Sequence, residues 1–201
     1  MRACMRRFKH VCGNLYELKP LVEKTKMASY FFYEGQLAEE KYHYDEALVC
    51  YERCLECDPR FAVAWVNSGT IFYSRKEFSK AAEYYRLALD IDPKDPLTHF
   101  NLGNALEELR YRQEAIKHYL AATRLAPGYA DAHYNLAFMH GSLNNDQEAL
   151  KHWRFFIKYD DRRPWANYAR QQIELLESQL PVRRLSLVRT KPFNSILNKM
   201  G

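Results

Sequence analysis

Three thiols are the side chains of this chain whose types and spacing most resemble a chemical site. They read Cys50-x3-Cys54-x2-Cys57. Thiolates so spaced can hold an iron–sulfur cluster, and with His43 they could supply ligands to zinc. The imidazoles are the next candidates for acid–base or metal chemistry. His99 and His133, and His118 and His152, fall in pairs at one fixed interval, which suits scaffold or surface positions better than one convergent site. Phosphate-loop, dinucleotide, nucleophile-elbow and zinc-protease patterns are missing. Arg183-Arg-Leu-Ser186 has the form of a basic-directed kinase site, but so short a pattern is common by chance. No catalytic residue, metal or cofactor is expected.

The elements that must position these side chains are set by a repeat. Ala47, Ala81, Ala115 and Ala149 recur at an interval of 34 residues, as do Tyr51, Tyr85, Tyr119 and Trp153. Pro59, Pro93 and Pro127 form a third series, and Gly35, Gly69, Gly103 and Ala137 a fourth. Such a period points to stacked supersecondary units rather than one globular core. Each unit reads as two antiparallel helices. A Gly within a helix costs about 1 kcal/mol against Ala, so close approach of the second helix, with Ala47, Ala81 or Ala115 facing the Gly, is the expected compensation. The tyrosines are expected to fill the space between neighbouring units. Asp58-Pro59, Asp92-Pro93 and Ala126-Pro127 end each second helix, because Pro disfavours the helical conformation of the residue before it.

On these residues the chain resembles the tetratricopeptide repeat. The resemblance implies an all-α, right-handed α-solenoid of antiparallel helix pairs, with units at 28–61, 62–95, 96–129 and 130–163. The cysteine spacing is also similar to the cluster motif of radical S-adenosylmethionine enzymes. There it lies on a loop of a β/α barrel; here it falls inside a second helix, with Cys54 at a small-residue position, so a structural role is expected. The fourth unit departs from the pattern, with Phe156 at the small position and Asp161 where Pro is expected. Pro164 can open a further helix, and residues 164–180 carry Trp165, Ala169, Ile173, Leu176 and Leu180 as one apolar stripe. That helix is expected to cap the array, with Phe156 beneath it. The run from His152-Trp153-Arg154 to Pro164-Trp165-Ala166 resembles the last unit of certain bacterial tetratricopeptide proteins.

The resemblance further implies a concave groove lined by the first helices. Mapped onto this chain, its positions include Phe32, Tyr33, Val66, Asn67, Leu97, Phe100, Asn101, Asn104, Asp131, Tyr134, Asn135 and Phe138. Asn67, Asn101 and Asn135 form a ladder of amides, and an amide offers donors and an acceptor to a peptide backbone. Bridging of adjacent helices by the same amides is the competing explanation, and the two are compatible. The amide ladder of O-GlcNAc transferase-like repeat domains is similar. None of the mapped positions holds Lys or Arg, whereas chaperone-binding relatives clamp a terminal carboxylate with cations there. A carboxylate-clamp partner is therefore not expected; an apolar and basic peptide segment is. The expected function is a non-enzymatic adaptor or scaffold for protein–protein interaction.

Charge divides unevenly. Residues 1–27 carry seven Lys or Arg and two acids, and residues 181–201 carry five and none, while the body between them is acidic. The basic N-terminal extension and the basic tail are expected to be flexible ends, with nucleic acid or anionic membrane as the alternative contacts of a regulatory or assembly protein. Without a long apolar run, a secretory signal or a disulfide framework, a cytoplasmic location is expected.

Overall fold

The computed structural model describes residues 23–162 and 164–189, with side chains through residue 179. Most of the basic extension 1–27 and residues 190–201 of the tail lie outside that range. The described regular structure is entirely helical. The helices are α1 (23–40), α2 (Tyr44–Cys57), α3 (Ala62–Ser74), α4 (Phe78–Ile91), α5 (Pro96–Glu108), α6 (Arg112–Leu125), α7 (Ala130–Ser142), α8 (Asp146–Tyr159) and α9 (Trp165–Arg189). They form two compact units, the first ending at Tyr111 and the second starting at Arg112. In the first, α2 packs on α3, α3 on α4 and α4 on α5; in the second, α6 packs on α7, α7 on α8 and α8 on α9. None of the described helices is long and apolar enough to cross a membrane.

Proline stops the second helices as its geometry requires. α2, α4 and α6 end two residues before Pro59, Pro93 and Pro127, and the N–H groups of Asp58, Asp92 and Ala126 close the last turns. The turns inside the pairs use a different device. Tyr42, Lys76, Arg110 and Asn144 all have positive φ, between 56° and 65°. Around each, two backbone bonds reach back into the preceding helix: for Lys76, its own N–H to Tyr73 O at 2.9 Å and that of Glu77 to Phe72 O at 2.9 Å. This is the left-handed cap that usually selects Gly. The four positions keep the 34-residue interval with four different residue types.

The glycine positions are explained by a ring, not by the facing alanine. A Cβ placed on Gly35 would lie 2.6 Å from the Tyr51 ring, and one on Gly69 would lie 2.8 Å from the Tyr85 ring. Tyr51 and Tyr85 therefore each fill the notch their own pair leaves open, rather than only the space between pairs. Tyr51 and Tyr85 are buried, with Ala47 and Ala81 beside them in the core.

Helix α9 covers the end of the second unit. Ala166, Ala169 and Leu176 are buried, and Phe156, 1% exposed, shares a core cluster with Ala169 and Leu176. Their spacing selects one face of a helix. Trp165, expected at the head of the buried stripe, is instead 59% exposed; Ala166 takes that place, because the buried face is rotated by one residue. The helix also continues to Arg189, through residues read as the start of the tail. No Gly lies between 165 and 189 to stop it, although Pro181 removes one backbone donor.

Candidate functional site

In the first unit, α3 and α5 place apolar side chains where a ligand could meet them. Val63 is 52% exposed and Leu97 49%. With Val66, Asn67 and Ala62 they line a cavity of about 310 Å³, and Asp92 and Asp95 share that lining. The volume and apolar lining with a few polar groups suit a binding site. Asp95 is held by capping α5: its carboxylate accepts from the N–H groups of Leu97 at 3.3 Å and Thr98 at 2.9 Å. Asp92 accepts from the N–H of Lys94 at 3.1 Å. Neither acid is expected at the site from the sequence: Asp92 reads only as the residue before a helix-ending Pro, and Asp95, beside the helix-opening Pro96, is not singled out.

Asn67 is positioned by the preceding helix pair. Its amide donates to the Tyr51 hydroxyl at 3.1 Å, and that hydroxyl donates to Glu39 at 2.7 Å. The bridging role of this amide is therefore real, and it leaves the Asn67 carbonyl without a bond among the described residues. Tyr33 stands 57% exposed on α1. Phe32 instead packs its ring on Phe61 at 4.8 Å and on Tyr51 at 5.8 Å. Phe100, Asn101 and Asn104 are half-buried on α5.

In the second unit, Phe138 is 51% exposed, whereas Tyr134 packs against Trp153, Phe156 and Trp165. Asp131 and Asn135 are half-buried on α7. Helix α9 exposes Trp165, Tyr168 and Leu175 along one stripe. The signal for it was present: Pro164 stands 34 residues after Ala130, so α9 occupies the place of a further first helix.

The thiols lie along α2. Cys54 is fully buried, and burial pushes its thiol up to about 11. A thiol so held is protonated and inert. Among the described residues no group of three or more His, Cys, Asp or Glu could hold a metal ion.

The histidines behave differently in the two units. Trp65 and His99 in the first, and His133 in the second, each reach the carbonyl of the proline six residues earlier, at 3.0, 3.1 and 3.0 Å. A carbonyl only accepts, so His133 Nε2 donates. Its Nδ1 therefore accepts from His152 Nδ1, 2.9 Å away. That leaves His152 Nε2 as a buried lone pair without a hydrogen-bond partner, with the Glu148 carboxylate 4.0 Å off. The His140 ring stacks on His152 at 5.8 Å, and its Nδ1 is likewise unpartnered. Burial, then the neighbouring His133 and His140, lower His152 to about 4. His133 and His140 are also lowered, again chiefly by burial.

Antiparallel helix pairs, closed by small residues and a tyrosine, define an α-helical repeat scaffold. A TPR repeat model matches residues 69–109 and a tetratricopeptide repeat model matches residues 96–129. Residues 69–129 of this chain carry tetratricopeptide repeats. No curated protein matches its sequence. Among solved structures it is similar to that of MamA protein, at 22% identity and a TM-score of 0.69, over 81% of this chain and 87% of that one. It is also similar to MamA 41-end from Desulfovibrio magneticus RS-1, at 18% identity and 0.61, over 68% and 77%. A third is the first TPR of Spaghetti (RPAP3) bound to HSP90 peptide SRMEEVD, at 24% identity and 0.58, over 60% and 95%. At these identities the likeness is one of fold.

Proposed function

We propose that this chain is a non-enzymatic adaptor whose first unit holds an apolar, basic peptide segment of a partner protein. The observation that carries the reading is the cavity where exposed Val63 and Leu97 meet Val66 and Asn67 beside Asp92 and Asp95. Apolar walls favour bulky aliphatic side chains, and the two carboxylates favour Lys or Arg next to them. The Asn67 carbonyl adds an acceptor for a peptide N–H. The Spaghetti repeat domain was solved with an acidic peptide; the cavity here has no Lys or Arg in its lining, so its preference should be of opposite charge.

Selection of displayed random peptides against the full-length chain tests this. The expected winners carry bulky apolar residues with Lys or Arg, and Val66→Asp or Leu97→Asp should abolish their binding. Enrichment of acidic peptides, or binding indifferent to both substitutions, would refute the reading.

A further inference from the structure

A second cavity opens on the other side of α3. At about 100° per residue, Trp65, Ser68 and Phe72 lie about half a turn around the helix from Val63, Val66 and Asn67. These three line a crevice of about 450 Å³ with Glu52 and Glu56 of α2 and Tyr84 of α4. Tyr84 meets Trp65 at 5.3 Å and Phe72 at 4.9 Å, both edge to face. The crevice is therefore walled by three aromatic rings whose order is set by one another.

Its polar lining is Glu52, Glu56, Ser68 and Lys80, with two acids against one cation. Glu52 and Glu56 stand one helical turn apart and exposed, and neither has a cationic partner among the described residues. Ser68 is 2% exposed and has no hydrogen-bond partner among the described residues. A cation already sits against the aromatic wall: Lys80 Nζ lies 3.9 Å from the centre of the Phe72 ring. An ammonium thus finds a ring face here, while the two carboxylates remain unmatched.

We propose that this crevice is a second binding site, taking an arginine side chain presented by an apolar segment of a partner protein. A guanidinium suits it better than a second ammonium. It is planar, stacks on aromatic faces, and can bond two carboxylates from one fork. The aliphatic stem would lie on Leu48 and Leu55, which complete the lining, and Ser68 would supply a hydroxyl acceptor at the floor. The site lies on the α3 face opposite the first cavity, so it does not depend on that cavity's ligand.

The test uses the full-length chain and a short fluorescent peptide with one Arg between two Leu residues, beside the same peptide with citrulline, which keeps the shape and lacks the charge. Saturable binding of the Arg peptide is expected, with NMR shifts at the Trp65 indole. Citrulline, or Glu52→Gln with Glu56→Gln, should each weaken it by about tenfold or more, the loss of one good charged contact. Both acids are exposed, so the double variant should melt like the parent. The same peptide suits the first cavity, so every arm is read in a Val66→Asp background, which blocks that cavity; binding and the Trp65 shifts should persist there. Absent binding or absent Trp65 shifts in that background, or equal binding of the citrulline peptide, would overturn the proposal.

Discussion

Acidification through the histidine range should loosen the second unit, and the size of the effect follows from His152. Its ordinary value of 6.5 falls to about 4 in the fold. The folded state therefore refuses a proton that the unfolded chain accepts. The stability this contributes is fully present above 6.5, is lost as pH falls toward about 4, and is flat below that. One pKa unit is worth about 1.36 kcal/mol, so His152 alone accounts for about 3 kcal/mol across the window. His133 and His140 shift in the same direction and steepen the loss. Against them, protonated His152 would gain Glu148, whose own carboxyl is lowered by its hydrogen bond to Lys151. Urea unfolding followed over a pH series, with hydrogen exchange resolved by helix, measures this. Protection should fall first in α7 and α8, while α3 and α4 hold. His152→Leu removes the titrating group at some cost at neutral pH, but it should flatten the slope between about pH 6.5 and 5 by about 1–2 kcal/mol. Parallel slopes for the parent and this variant would refute the argument.

Three further outcomes are expected. Gly69→Ala should lower stability by about 1–3 kcal/mol through overpacking on Tyr85, whereas Gly141→Ala, which meets nothing within 4 Å, should raise it by about 0.5–1 kcal/mol; thermal melts that move the same way would argue against the ring-in-notch packing. Lys76→Gly should stabilise the first unit by up to about 1 kcal/mol, because φ of 63° strains a side-chain-bearing residue, and a fall in the urea midpoint would count against that. In the native protein, iodoacetamide should label Cys50 and Cys57 well before Cys54, as mass spectrometry of digests can show, and equal rates would contradict the burial of Cys54.

The sequence by itself determined the all-helical repeat, because its markers act locally. Pro59, Pro93 and Pro127 stop helices through their own backbone chemistry, and the 34-residue interval of Ala47 and Tyr51 exposes the unit without any fold in view. The interval also carried α9, since Pro164 keeps step. Tertiary structure alone decided what those markers touch. Gly35 and Gly69 turned out to make room for rings sixteen residues away rather than for a facing alanine. Tyr42, Lys76, Arg110 and Asn144 share one strained conformation that no common residue type betrays. At the candidate site, the sequence marked Val66, Asn67 and Leu97 but not Asp92 or Asp95, whose carboxylates enter only when α4 ends beside the start of α5. His133 and His152 likewise looked like two separate repeat positions until α7 and α8 packed face to face. Periodicity records where each side chain leaves its own helix; which partner it meets depends on packing between helices, where a rotation of one residue, as at Trp165 and Ala166, exchanges core for surface.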